Sequence, residues 1–265
     1  MSIRNEIISL YKAKNIIINM SINDFTYNFL GSYLGMLWVI LRPLIFISVI
    51  WLIFSIGFKK NLIDNNTPFI LYLLTGYIPW LLFTDAVSSS MKSIVNNKFL
   101  LSNLSFKIGV LPINKIVCAF YVHIVFLSLL ILVLLFHGYY PSIYWVQLPL
   151  MMIIFSILLL GVGWLTSSLR VFSKDVEEVT GIILQIGFWI SPIFWSINAI
   201  PYKYHWIVDI NPMAFIIQGY RNSFIDNIWF WETSGFLSYI IVTSVVLGVG
   251  IMLFKRLRPH FYETL

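Results

Sequence analysis

The chain has 265 residues, 59% of them hydrophobic and 17% aromatic, with 11% charged and a formal net charge of +6. A water-soluble domain carries about 25% charged residues, so this chain lacks the charge to keep a surface wet, and its composition points to an integral membrane protein. The single cysteine, Cys118, excludes an intrachain disulfide and a cysteine-rich metal site, and reads as a packed thiol in an apolar segment.

The first thirty residues are mixed polar, without a continuous apolar run and small-residue cleavage site, so this segment is expected to stay in the mature protein. Ile3, Ile7, Leu10, Ile17 and Met20 fall at helical spacing, with Arg4, Lys12 and Lys14 among them. The pattern predicts an amphipathic helix within 1–31. It suits a helix lying along the cytoplasmic interface with its apolar side in lipid, and equally one docked on protein.

Six segments then reach the roughly 20 apolar residues a helical span requires: about 34–58, 69–89, 113–136, 146–169, 178–197 and 236–254. Strand-like alternation is absent, which argues against a barrel. The fold class is therefore all-α membrane protein, in one domain over 1–265. The first span contains Arg42 and Pro43, about 12 Å inside a helix that begins near Leu34. Arg42 either snorkels to the headgroups or sits on a lumen or subunit face, paired with a carboxylate or a lipid phosphate. Pro43 favours a bend there.

Between the fifth and sixth spans a long, partly polar stretch is punctuated by Pro192, Pro201 and Pro212. It is too interrupted to span and predicts short helices re-entering the outer leaflet, with a gate from Pro192 to Arg221. Arg221 either positions that segment or meets phosphate, or forms an ordinary salt bridge to Asp209 or Asp226. Twelve basic residues fall in the N-terminal segment, the 90–115 and 170–177 loops and the tail; four, Lys59, Lys60, Lys203 and Arg221, fall on the other side. The richer side belongs in the cytoplasm, with both termini there. That bias accounts for the net charge without nucleic acid.

The residues offer no catalytic constellation. His123, His137, His205 and His260 lack metal-ligand spacing, and no phosphate-cradling G-x-x-x-x-G-K-[ST] run is present. Any energy from ATP must come from another subunit.

Five runs, in order, carry a resemblance: "LGSYLGMLWVILRPLIFISVIWLIF" from Leu30, "LLTGYIPWLLFTDAV" from Leu73, "NKFLLSNLSFKIGVLPI" from Asn97, "RVFSKDVEEVTGIILQIGFWISPIFW" from Arg170 and "INPMAFIIQGYRNSFID" from Ile210. Together the chain resembles permeases of the ABC-2 type that export polysaccharides, closest to those for O-antigen. It departs from that pattern at Arg42, Ser105, Gly109 and Ser173. The resemblance implies a homodimer in the bacterial inner membrane, paired with two copies of a separate ATP-binding subunit that holds ATP and Mg. The cargo it implies is a polysaccharide on an undecaprenyl-diphosphate carrier. Capsule, teichoic acid or another glycan are alternatives, as is a small drug or lipid. A membrane enzyme acting on a polyprenyl phosphate is the rival from another class, and it needs convergent carboxylates or histidines.

On this footing Trp38, Trp51, Phe188, Trp189, Phe194 and Trp195 are candidates to line the lumen, since flat rings contact the C–H faces of sugars without a deep binding well. Lipid-facing or core packing is the plainer role for each. The 90–115 loop resembles the segment that docks on the ATPase, through Phe99, Leu100 and Leu104 with Lys98, Asn103 and Lys107 at the rim. Asp175, Glu177 and Glu178 open the fifth span, where carboxylates stabilise a helix N-terminus; coupling to the ATPase is their sharper role.

Overall fold

Long apolar stretches bounded by proline, glycine and short polar turns leave the backbone one economical arrangement in lipid, the helix, which satisfies its own N–H and C=O groups. The computed structural model describes residues 14–27, 35, 37–57, 67–102 and 107–264, and these are helical with no strand among them. In chain order the α-helices are α1 (Lys14–Tyr27), α2 (Leu37–Gly57), α3 (Phe69–Asn96), α4 (Val110–Phe136), α5 (Leu148–Arg170), α6 (Asp175–Ile190), α7 (His205–Ile210), α8 (Pro212–Arg221), α9 (Phe236–Leu257) and α10 (Phe261–Thr264). Among the described residues four helical stretches are long and apolar enough to cross a membrane: Phe69–Asn96, Val110–Phe136, Ile143–Arg170 and Phe236–Thr264. The apolar part of α2, Ile40–Ile53, is shorter, and α6 has sixteen residues.

The observed ends differ from the expected spans in two instructive places. The fifth segment, expected over 178–197, stops as a helix at Ile190. Pro192 forces its predecessor out of the helical region, and Ser191 sits at φ −75°, ψ 141°. The second runs seven residues past its expected end, to Asn96. Its hydroxyls sustain it: Thr75 donates to the Leu71 carbonyl at 2.9 Å, Thr84 to Trp80 at 3.2 Å and Ser89 to Asp85 at 2.5 Å. Each hydroxyl is thereby hidden within its own helix.

The core is centred on α3, which packs against α2, α4, α5, α6 and α8. Every residue from Leu71 to Trp80 is buried, as for a helix enclosed on all sides. On its flank α5 and α9 cross closely: a Cβ on Gly161 would lie 2.8 Å from the Leu247 backbone, and one on Gly250 would strike the Gly161 carbonyl. Without a hydrophobic drive between helices in lipid, such small-residue contacts are what dispersion has to work with. Ile154 meets Tyr239 and Gly161 meets Leu247, so these two helices run in the same direction.

The ends of the bundle are distinct. At one end Ser90 donates to the Pro112 carbonyl, the Trp164 indole donates to the Gly109 carbonyl, and Ile94, Ile108, Leu111, Val171, Phe254 and Phe261 form a small second core. This is the end where Lys92, Lys107, Arg170 and Lys255 lie in sequence. The other end holds α7, α8 and the turns around them. Helix α1 docks on α4 near the basic end: Asp24 accepts from Asn114 at 2.7 Å and from Lys115 at 2.6 Å, and Ser21 meets the Tyr121 hydroxyl at 3.1 Å. Cys118 is buried there, its thiol 3.3 Å from the Ser21 carbonyl. Ile18 and Ile22 are exposed, so the helix is both docked on protein and left with an uncovered apolar side. Residues 1–13 and 28–31 of this expected helix lie outside the described residues.

Candidate functional site

Three of the five sequence runs meet at Arg221. The residue ends α8, whose start is set by Asn211-Pro212: Pro212 supplies a helical φ, and the Asn211 side chain accepts from the Met213 N–H at 3.0 Å. Asn211 also donates to the Ser191 hydroxyl at 2.9 Å, tying α8 to the break after α6. Eight of the ten residues of α8 are buried with Arg221 among them, itself 1% exposed. Its Nη2 donates to the Ile193 carbonyl at 2.7 Å and to the Tyr72 carbonyl at 3.4 Å, and the guanidinium lies 3.5 Å from the centre of the Tyr72 ring. Gly76, one turn along α3, makes room: a Cβ there would sit 2.9 Å from both Arg221 Nη2 and the Ile193 carbonyl oxygen. No ion pair joins Arg221 to Asp209 or Asp226, so the expected salt bridge gives way to carbonyl and ring partners among the described residues. Burial lowers the guanidinium to about 10, which leaves it charged at neutral pH. Burial pushes the Asp226 carboxyl up, and the Arg221 charge partly offsets it.

Beside Arg221 opens a polar cavity of about 340 Å³, walled also by Thr67, Tyr72, His205, Gln218 and Asp226. The prolines expected to form a gate divide here: Pro192 is buried, Pro212 starts α8, and Pro201 is exposed ahead of the turn Tyr202–Tyr204.

A continuous set of rings crosses from α2 through α3 to α6 and the turn beyond. Phe46 stacks on Tyr77 with centroids 5.2 Å apart, Phe188 lies 5.9 Å from both Phe46 and Trp80, and Phe194 lies 5.7 Å from Phe188 and 5.2 Å from Trp189. Phe188 is half-buried and Trp189 exposed, whereas Phe194 is buried behind them. Trp195 is half-buried; its indole donates to the Trp189 carbonyl at 3.2 Å, and its own carbonyl accepts from Tyr72 at 3.0 Å. Trp51 is exposed on α2 apart from this set. Sequence reasoning missed Phe46, Tyr77 and Trp80, although Tyr77 and Trp80 stand in the Gly76-containing run. The exposed apolar residues beside these rings, Ile45 and Val49 on α2 and Val179, Ile182, Ile183, Ile186 and Ile190 on α6, form a face that the other described residues leave uncovered.

Toward the basic end a second cavity, about 680 Å³, lies between α2, α3 and α4, with Trp38, Arg42, Asp85, Lys92, Lys115 and His123 in its wall. The Arg42 guanidinium lies 5.6 Å from the Trp38 ring centre, one turn back, as side chains on a helix lean toward its N-terminus. Lys92 forms an ion pair with Glu177, which also binds Arg170 Nε at 3.3 Å. Glu177 thus bridges the ends of α3 and α5 at the start of α6, beyond any effect of its charge on the helix terminus. The short helix Lys98–Ser102 follows directly. Phe99 is largely exposed, whereas Leu100 packs toward the second core. Lys98 and Lys107 are exposed, and Asn103 and Leu104 lie outside the described residues. One buried pair had no signal in sequence: His123 Nε2 meets the Tyr220 hydroxyl at 2.8 Å, linking α4 to α8.

A family model described as "ABC-2 type transporter" matches residues 20–225, a range that includes Gly76, Ile193 and Arg221. The chain is 27% identical over 95% of its length to an O-antigen export system permease protein RfbA of Klebsiella pneumoniae, with 95% of that protein covered. A protein of the same name from Myxococcus xanthus is 22% identical, with 97% of each chain covered. The polysialic acid transport protein KpsM of Escherichia coli is 25% identical over 84% of this chain and 85% of its own.

Proposed function

The chain belongs to the ABC-2 type transporter family, and on that premise we propose that it is the permease subunit of a polysaccharide exporter, with lipid-linked O-antigen as its cargo. The names of the relatives that align along nearly the whole chain support this reading. It is a transport subunit of the inner membrane, and ATP is hydrolysed by a separate partner. Within this reading α2 and α6 cross the membrane with the four longer stretches, the basic end is cytoplasmic, and α7 and α8 re-enter from the opposite side.

The observation that carries the mechanism is the ring series from Phe46 to Phe194 beside an apolar face left uncovered in one protomer. A second copy covers that face, and the rings border the passage between the two. Stacking contacts hold each sugar weakly, so the chain is passed along without being trapped. Arg221 holds the turn after α6 against α3 and α8, which gives the far end of the passage a defined edge. At the cytoplasmic end Arg42 offers a cation to the diphosphate of the carrier, and Lys98, Phe99 and Lys107 border the surface on which the ATPase docks. Movement there reaches α6 through Glu177, which is bound to Lys92 and Arg170.

A deletion strain tests the reading. The expected result is carrier-linked glycan accumulating inside the cell with surface polysaccharide lost; normal surface polysaccharide overturns it. Docking is tested by Phe99→Ala, which is expected to reduce co-purification of the ATP-binding subunit, and unchanged recovery removes that assignment.

A further inference from the structure

The 680 Å³ cavity toward the basic end holds two charges that nothing in the protomer answers. Helices α2 and α4 both pack on α3, and the hollow lies between them. Arg42, Asp85, Lys92 and Lys115 stand in its wall. Lys92 is matched by Glu177 and Lys115 by Asp24. Among the described residues neither Arg42 nor Asp85 has an ion-pair partner, and both side chains are exposed, so both can be reached from the cavity. The Trp38 ring beside Arg42 does not neutralise it. Asp85 stands seven positions before Lys92 on α3, about 10 Å farther from the basic end. A carboxylate at that depth is costly without a cation beside it.

Farther in, the wall turns apolar, with Ile78, Leu81 and Leu82 on α3 and Val122 and Phe126 on α4. His123, the polar exception there, is bound through Nε2 to Tyr220. A wall charged toward the membrane surface and apolar at depth suits an amphiphile lying as a bilayer lipid lies. The two unmatched charges narrow its headgroup. A guanidinium grips phosphate through paired N–H donors. A purely anionic headgroup would answer Arg42 and be repelled by Asp85. A headgroup with both a phosphate and a primary ammonium answers each, and the ammonium brings three donors for the carboxylate.

We propose that each protomer holds a zwitterionic aminophospholipid in this cavity. Its phosphate accepts from Arg42, its ammonium donates to Asp85, and the upper part of its chains lies against Leu82 and Phe126. The inference goes beyond the export reading and does not rest on it. Where a carrier's diphosphate meets Arg42, it does so by displacing the phosphate of this lipid.

The test uses the intact complex of permease and ATP-binding subunit, stripped of lipid in detergent. It is offered phosphatidylethanolamine, phosphatidylglycerol and phosphatidylcholine with identical chains at equal concentration, and retained lipid is read by native mass spectrometry. Phosphatidylcholine keeps both charges, but its trimethylated nitrogen has no N–H to donate, so the comparison probes the ammonium contact without any substitution. Phosphatidylethanolamine is expected to be retained over each of the others on the order of tenfold. Asp85→Asn is expected to abolish its advantage over phosphatidylglycerol, and Arg42→Gln to lower its retention on the order of tenfold. Equal retention of the three lipids by the unaltered complex overturns the site. A preference for phosphatidylglycerol overturns it in favour of an anion site on Arg42 alone. A preference for phosphatidylethanolamine that both variants keep places the lipid elsewhere and overturns it as well.

Discussion

Around Arg221 the molecule turns its scarce polar groups on itself, whereas along α2 and α6 it leaves isoleucines, valines and tryptophans uncovered. The first region is buried, bonded and held at three points: Tyr72 on α3, Ile193 after α6 and Gly76 beneath. The second has Ile183, Ile186 and Trp189 exposed on one helix and Ile45, Val49 and Trp51 on another. In water this would be inside-out. In lipid or against a second copy it is ordinary, because hydrocarbon solvates leucine as well as another leucine does, and close packing with polar bonds decides which helices go to the centre. The least apolar of the four long helices, α3, is accordingly the most enclosed, and the more apolar α9 is the most open. What the contrast teaches is that hydropathy finds the membrane, and polarity and small residues find the core.

Four substitutions press on that contrast. The largest effect is expected from Arg221→Leu, which leaves the Ile193 carbonyl without its charged donor and removes the side chain from Tyr72. A loss of about 3 kcal/mol is expected, read as a lowered thermal transition in detergent, with Arg221→Lys recovering only part. An unchanged transition shows that the junction is not an anchor. Next, Gly250→Val drives its Cβ into the Gly161 carbonyl and should cost about 1–3 kcal/mol; the same variant at Gly248, where a Cβ would meet none of the described residues within 4 Å, serves as the control and is expected to be near neutral. Asn211→Ala removes both the cap of α8 and its tie to Ser191, worth about 1 kcal/mol, and hydrogen exchange at the start of α8 should rise. The smallest stability change is expected on the open face. Ile183→Ala should alter protomer stability by less than about 0.5 kcal/mol while lowering cross-linking between protomers through Ile186→Cys. Strong destabilisation there means that the face is part of the protomer's own core.

Several features were legible because they depend on local chemistry. The ends of α4 and α9 lie close to their expected places, since apolar length sets them. The break after α6 was signalled by Ser191-Pro192, yet the apolar run through Phe194 and Trp195 disguised it as further span; proline outranks hydropathy at that point. The extension of α3 to Asn96 was hidden for the opposite reason, because serines read as loop until their hydroxyls are seen bonded to the helix itself. The Arg42–Trp38 contact follows from one turn of spacing. Gly76 gave only a pause in an apolar run, and nothing nearby in sequence hints at Arg221, 145 positions later.

Residue content alone determined the class of molecule, the approximate reach of its helices and the clustering of basic residues at one end. These follow from transfer of side chains and backbone between water and hydrocarbon, a property each segment has by itself. Tertiary structure decided which helix is enclosed, that Arg221 answers carbonyls and a tyrosine ring rather than a carboxylate, and that a polar hollow opens beside it. Those outcomes depend on side chains from distant segments arriving at one point, and no local pattern encodes a meeting of that kind.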